Sequence, residues 1–134
     1  MEKDSQIFKE NKKSFKRFTL SFKYCYEGIR YAFYHEQNII VMLVMGIIAM
    51  ILGIILGISY TERLVVILLI GMILSLEMIN TAIESVVNLV TTEKKPLAKV
   101  AKDCASGAVG IASIFAFILG ILIYLPKLIE FFRG

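Results

Sequence analysis

IIVMLVMGIIAMILGIILGI, residues 39–58, is a run of twenty residues with no charge and no strongly polar side chain. At a helical rise of about 1.5 Å per residue it spans about 30 Å, the thickness of a hydrocarbon core. Two more blocks are also long and apolar enough to span: residues 64–90 (LVVILLIGMILSLEMINTAIESVVNLV), which carries acids and amides, and residues 104–125 (CASGAVGIASIFAFILGILIYL). The rest of the composition agrees. Of 134 residues, 57% are apolar and only 19% charged, with no Trp, which argues against a soluble globular domain, a disordered chain and a disulfide-stapled secreted module. The expected fold is an all-α integral membrane protein, a single domain over 1–134. An N-terminal segment, 1–38, precedes three membrane helices at 39–58, 64–90 and 104–125. That segment is charged and aromatic, so a cleavable signal peptide is not expected.

Basic residues set the orientation. Residues 1–38 hold eight Lys/Arg and the 91–103 connection holds Lys94, Lys95, Lys99 and Lys102. The opposite side has Arg63, Lys127 and Arg133. Twelve against three is a positive-inside signal, which predicts a cytoplasmic N-terminus and 91–103 connection, on the side supplied with ATP. Phe8, Phe15, Phe18, Phe22, Tyr26, Ile29 and Phe33 recur at steps of three and four, with Lys9, Lys12, Lys13, Lys16, Lys23 and Arg30 between them. This is the pattern of a basic amphipathic helix lying among anionic headgroups. The lipid surface therefore accounts for the net charge of +4, and no nucleic-acid-binding motif is present. Cys25 and Cys104, far apart and without metal-ligand neighbours, are expected to stay reduced. Gly53 and Gly57 form a small-xxx-small pair, and Gly107, Ala108 and Gly110 thin the third span; both suit close helix approach in lipid.

Chemistry concentrates in the second span. With about 100° per residue, Glu77, Asn80, Glu84 and Asn88 fall on one helix face about 80° wide. Carboxylates at membrane depth cost several kcal/mol unless they face a bundle interior or a wet cavity, so such a stripe marks a site. Glu36, Glu93, Lys94, Lys95, Lys102 and Asp103 converge on it from the cytoplasmic side, with Glu36 and Lys102 expected level with Glu84. Mg²⁺ takes one or two protein carboxylates and keeps its other positions for phosphate and water. Glu36 and Glu84 suit that role, Lys102 adds a cation for phosphate, and Glu77, about 10 Å deeper by helical rise, suits a general base for a lipid hydroxyl. Phosphoryl transfer needs mainly positioning and charge compensation, so a small site suffices. Two other classes fit parts of the pattern: a proton-coupled transporter using Glu77 and Glu84 as a relay, and a structural adaptor whose polar stripe is packing glue.

Glu77-Met78-Ile79-Asn80-Thr81-Ala82-Ile83-Glu84 followed by Ala101-Lys102-Asp103, with Tyr24-Cys25-Tyr26-Glu27-Gly28-Ile29-Arg30 and Glu36 upstream, resembles the signature of the small bacterial membrane lipid kinases, the diacylglycerol and undecaprenol kinases. The resemblance runs from about Arg17 to Tyr124 and implies a homotrimer with sites shared between subunits, each subunit a surface helix plus three membrane helices. By motif position, it implies that Glu77 is the catalytic base and Asn80 its hydrogen-bonding neighbour. It likewise implies that Glu36 and Glu84 are the Mg²⁺–ATP ligands. Arg17, Tyr24, Glu93, Lys94, Lys95, Lys102 and Asp103 take nucleotide-binding positions, and Arg30 and Ser106 lie near the lipid headgroup. Asn88 stands where Asp is frequent, Lys94 and Lys95 replace an aromatic–His pair, and Glu27 stands where one branch carries Lys. Pro96-Leu97-Ala98-Lys99 and Gly107-Ala108-Val109 are similar to the undecaprenol kinase branch, which implies undecaprenol as substrate ahead of diacylglycerol.

Overall fold

The computed structural model describes residues 2–133, with side chains from Phe15 onward; Phe8, Lys9, Lys12 and Lys13 lie outside the described side chains. The chain is all-helical: α1 (Glu2–His35), α2 (Gln37–Ile55), α3 (Tyr60–Val90) and α4 (Pro96–Arg133). Helix α1 forms one compact unit and the remaining residues another. On α1, Phe15, Phe18, Phe22, Tyr26 and Ile29 are all exposed.

Helices α2, α3 and α4 are each long and apolar enough to cross a membrane. The nineteen residues of α2 give about 28 Å, one hydrocarbon thickness, and the 31 of α3 about 46 Å. Because a short turn joins α2 to α3, the excess length of α3 projects at its Val90 end. Helix α4 runs past its apolar block at both ends and α3 at its start, whereas α2 begins at Gln37 and stops at Ile55, short of the expected end at 58. Polarity marks where a span leaves lipid, whereas hydrogen bonding marks where a helix ends. The 91–103 connection is accordingly reduced to residues 91–95, with 96–103 forming the first turns of α4. Pro96 opens α4, where its missing N–H costs nothing, and the extended Thr91 (φ −157°, ψ 137°) closes α3.

The α2–α3 turn is built by Gly57. Its φ of +66° is the left-handed conformation that suits a residue without Cβ. The Gly57 N–H donates to the Ile54 carbonyl (3.3 Å) and the Ile58 N–H to the Gly53 carbonyl (3.0 Å), which is a Schellman stop. Gly57 is thus a helix terminator, and Gly53 alone of the pair is a packing glycine. A Cβ on Gly53 would come within 2.6 Å of Ile58 Cδ1 and 3.1 Å of the Tyr124 hydroxyl. Helix α3 then opens with a capping box: the Ser59 N–H donates to Glu62 Oε2 (2.6 Å) and the Glu62 N–H to Ser59 Oγ (3.3 Å).

Helix α3 packs against both α2 and α4. Ile58, Val66 and Ile123 form the buried core, flanked by Ala49, Met50, Ile70 and Tyr124. The Tyr124 hydroxyl donates to the Ala49 carbonyl at 2.8 Å, tying α4 to α2. Most other large apolar side chains face outward, at no cost where the surroundings are lipid tails as apolar as leucine.

Candidate active site

Of the four-residue stripe on α3, Glu77, Asn80 and Glu84 face inward, whereas Asn88 is exposed. Glu77 is 2% exposed and Asn80 8%, and Thr81 is buried beside them; Glu84, one turn on, is half-buried. The Asn80 amide nitrogen donates to Glu84 Oε1 at 3.2 Å. Its Oδ1 is fully buried and has no hydrogen-bond partner. An orphaned buried acceptor costs about 1–3 kcal/mol, so the amide is held in a position that suits a donor arriving from elsewhere. The Thr81 hydroxyl donates to the Glu77 carbonyl (3.0 Å) and the Ser85 hydroxyl to the Thr81 carbonyl (2.8 Å). Both hydroxyls are thereby satisfied along the helix's own backbone, leaving the Glu77 carboxylate as the acid among them.

Close contacts fix the register of the other helices against this stripe. Gly46 lies against Ile70, its built Cβ 3.0 Å from that side chain. Counting ten residues away from each along the antiparallel pair puts Glu36 level with Asn80, about 6 Å deeper than Glu84. On the other side, the Lys102 ammonium donates to Asn88 Oδ1 at 2.7 Å, about 6 Å beyond Glu84 toward the α3–α4 turn. The sequence reading put Glu36 and Lys102 level with Glu84; the register instead strings them along the helix, with Glu84 between. Glu36 is the N-cap of α2 with extended backbone (φ −114°, ψ 106°), yet its side chain makes no cap hydrogen bond, so the carboxylate is not consumed by the helix end.

At the α3–α4 turn a cleft of about 660 Å³ is lined by Asn88, Glu93, Lys94, Lys95, Lys102 and Asp103, among others. It falls in the usual range for a small-molecule site. Within it Lys95 pairs with Glu93 (3.6 Å) and Lys99 with Asp103. The structure therefore gathers every candidate from the turn into one cleft, while Glu77, Asn80 and Glu84 form a separate buried stripe leading away from it. Ser106 is exposed on α4, and Arg17, Tyr24 and Arg30 are exposed on α1, where the Arg30 guanidinium lies over the Tyr34 ring at 5.6 Å. Sequence reasoning missed Thr81, whose place four residues after Glu77 was the available signal, and Thr91, Thr92 and Lys99, which line the cleft.

Beyond Glu77 the inner faces turn apolar. A cavity of about 340 Å³ lies between α2, α3 and α4, bordered by Val41, Ile70, Ile73, Ser113, Ala116 and Tyr124 among others. Ile73 is one turn from Glu77 on the same face of α3.

The membrane-capable unit thus holds a buried carboxylate, with an apolar cavity on one side of it along α3 and a lysine-rich cleft on the other. Comparison with known proteins identifies the family. Residues 23–124 match the family described as prokaryotic diacylglycerol kinase. The chain is 39% identical over 120 residues to the undecaprenol kinase of Bacillus subtilis, covering 90% of this chain and 98% of that one. It is 37% identical over 112 residues to a diacylglycerol kinase of Synechocystis, covering 83% of this chain and 64% of the relative. A diacylglycerol kinase of Helicobacter pylori is 35% identical over 109 residues, or 81% and 85% of the two chains. The chain belongs to the prokaryotic diacylglycerol kinase family, and it is a lipid kinase.

Proposed function

We propose that the protein transfers the γ-phosphoryl group of ATP to undecaprenol, giving undecaprenyl phosphate, at the cytoplasmic face of a bacterial plasma membrane. The observation that carries this reading is the order of features along α3: residues lining the apolar cavity, then buried Glu77, the Asn80–Glu84 pair, and Asn88 in the lysine cleft. The cavity suits a hydrocarbon chain, being more than twice the roughly 150 Å³ of an engineered apolar cavity that takes up benzene. Undecaprenol is favoured over diacylglycerol by the similarity to the Bacillus enzyme across nearly its full length and by the Pro96–Lys99 segment. The 1–134 chain acts as one domain, assembled as a homotrimer, with α1 lying on the headgroups.

In this reading the cleft lysines bind the phosphates, with Glu93 and Asp103 as further nucleotide contacts; by the family resemblance alone, Arg17 and Tyr24 also take nucleotide-binding roles, and Arg30 and Ser106 roles at the lipid headgroup. Glu36 and Glu84 would hold Mg²⁺. Their chemistry fits: one carboxylate is left free at a helix cap and the other is oriented by Asn80. Two carboxylates suffice for an ion that keeps its other positions for phosphate and water. When bound, the metal neutralises charge on the phosphate oxygens. Glu77 accepts the proton of the lipid hydroxyl as its oxygen forms the new bond to the γ-phosphorus; the bond from that phosphorus to the bridging oxygen breaks, and ADP leaves. Asn80, held by Glu84, offers its free Oδ1 as acceptor to the proton once Glu77 carries it.

Transfer from γ-labelled ATP to undecaprenol and to diacylglycerol, in mixed micelles with Mg²⁺, tests the proposal. The expected result is faster labelling of undecaprenol. Preference for diacylglycerol would overturn the substrate, and labelling of neither would overturn the proposal.

A further inference from the structure

We propose that Asn88 is a positioning residue for the nucleotide cleft, its amide oxygen aiming the Lys102 ammonium while leaving that charge free to meet phosphate. The inference rests on the proposal that the cleft binds a nucleoside triphosphate. It starts from the charges that line the cleft: four lysines and two carboxylates. Each carboxylate already has a lysine, Glu93 with Lys95 and Asp103 with Lys99. Lys94 and Lys102 have no carboxylate partner among the described residues. Two positive charges therefore remain, enough to favour a polyphosphate.

These two lysines differ. Lys94 is exposed, whereas Lys102 is half-buried and anchored across the α3–α4 pair by the 2.7 Å bond to Asn88 Oδ1. A lysine side chain has several free torsions, and one hydrogen bond to a fixed acceptor removes much of that freedom before a ligand arrives. The acceptor's chemistry matters equally. A carboxylate at position 88, as many members of the resembled family carry, would hold the ammonium as firmly but lower the net charge facing phosphate by one. The neutral amide of this chain holds it and leaves that charge intact. With an ammonium as donor, the amide must present oxygen rather than nitrogen.

The test uses the full-length protein in mixed micelles. The affinity for Mg·ADP, by calorimetry, and the KM for Mg·ATP with kcat are measured at low and high salt for wild type, Asn88→Ala, Asn88→Asp, Lys102→Ala and the Asn88→Ala/Lys102→Ala pair. Asn88→Ala is expected to weaken Mg·ADP and raise KM about three- to tenfold, the net value of one ordinary hydrogen bond at an exposed residue, with kcat within about twofold. Asn88→Asp is expected to weaken binding by at least as much and to flatten its salt dependence, because one net charge has left the cleft. The pair is expected to bind no more weakly than Lys102→Ala alone, since the amide acts only through that lysine. Multiplying effects in the pair, or wild-type binding by Asn88→Asp, would overturn the inference. Asn88→Ser, which keeps a short acceptor, should recover part of the affinity; a variant that is merely destabilised would not be rescued this way. Wild type that binds Mg·ADP but labels no lipid would refute the proposed reaction and leave the Asn88 inference to the binding data. Wild type that binds no Mg·ADP would refute the inference.

Discussion

Replacing Asn80 by leucine, a residue of similar size, separates two roles that buried polar groups usually confound. In the structure Asn80 makes one hydrogen bond, to Glu84 at 3.2 Å, and buries one acceptor with no partner. Losing the bond to a carboxylate costs about 1.5–3 kcal/mol, while removing the orphaned oxygen returns about 1–3 kcal/mol. The two terms nearly cancel, so Asn80→Leu should lie within about 2 kcal/mol of the unaltered protein. Activity should behave otherwise. Glu84 loses the group that orients it and protonated Glu77 loses an acceptor, and a misplaced reacting group costs about 100-fold. Unfolding followed by circular dichroism in detergent gives the stability, and label transfer to lipid gives the rate. A strongly destabilised variant that kept near-normal turnover would refute the reasoning, because Asn80 would then be a structural residue.

Gly57→Ala forces a side chain into the left-handed conformation at φ +66° and should cost about 1–2 kcal/mol, seen as a lower unfolding midpoint with the catalytic constants unchanged. Gly53→Ala should cost about 1–3 kcal/mol by overpacking, because its Cβ meets Ile58 at 2.6 Å; Ile58→Val in the same chain should recover part of the loss. Ala116→Phe, on the wall of the apolar cavity, should raise the KM for undecaprenol several-fold while leaving the KM for Mg·ATP unchanged. Chelation with EDTA should abolish transfer, and added Mg²⁺ should restore it.

The three membrane-capable helices were legible in the sequence because a long, predominantly apolar run has few alternatives to a helix in lipid. The helix ends were less so. Residues 96–103 look like a basic loop, yet Pro96 starts a helix there, and basic residues are compatible with a helix that projects from the bilayer. Gly57 looks like a packing residue until its φ is known, since small-xxx-small spacing and a helix stop call for the same amino acid. At the site, the 3.6-residue period placed Glu77, Asn80 and Glu84 on one face, and the structure puts that face inward. What the period could not supply was register between helices. Glu36 falls level with Asn80 rather than Glu84, and Asn88 meets Lys102, only because of how α2 and α4 slide along α3. The orphaned Asn80 oxygen was equally hidden, as it depends on what its neighbours fail to donate.

The central claim is that Glu77 removes the proton from a lipid hydroxyl beside a separate nucleotide cleft, and Glu77→Gln tests it most directly. Single-turnover transfer from labelled ATP and the equilibrium affinity for Mg·ADP should be measured on the same micellar preparation. The account predicts nucleotide affinity within about twofold of wild type and transfer slowed about 10²- to 10⁴-fold, the range for loss of a general base. Transfer at the wild-type rate would contradict it.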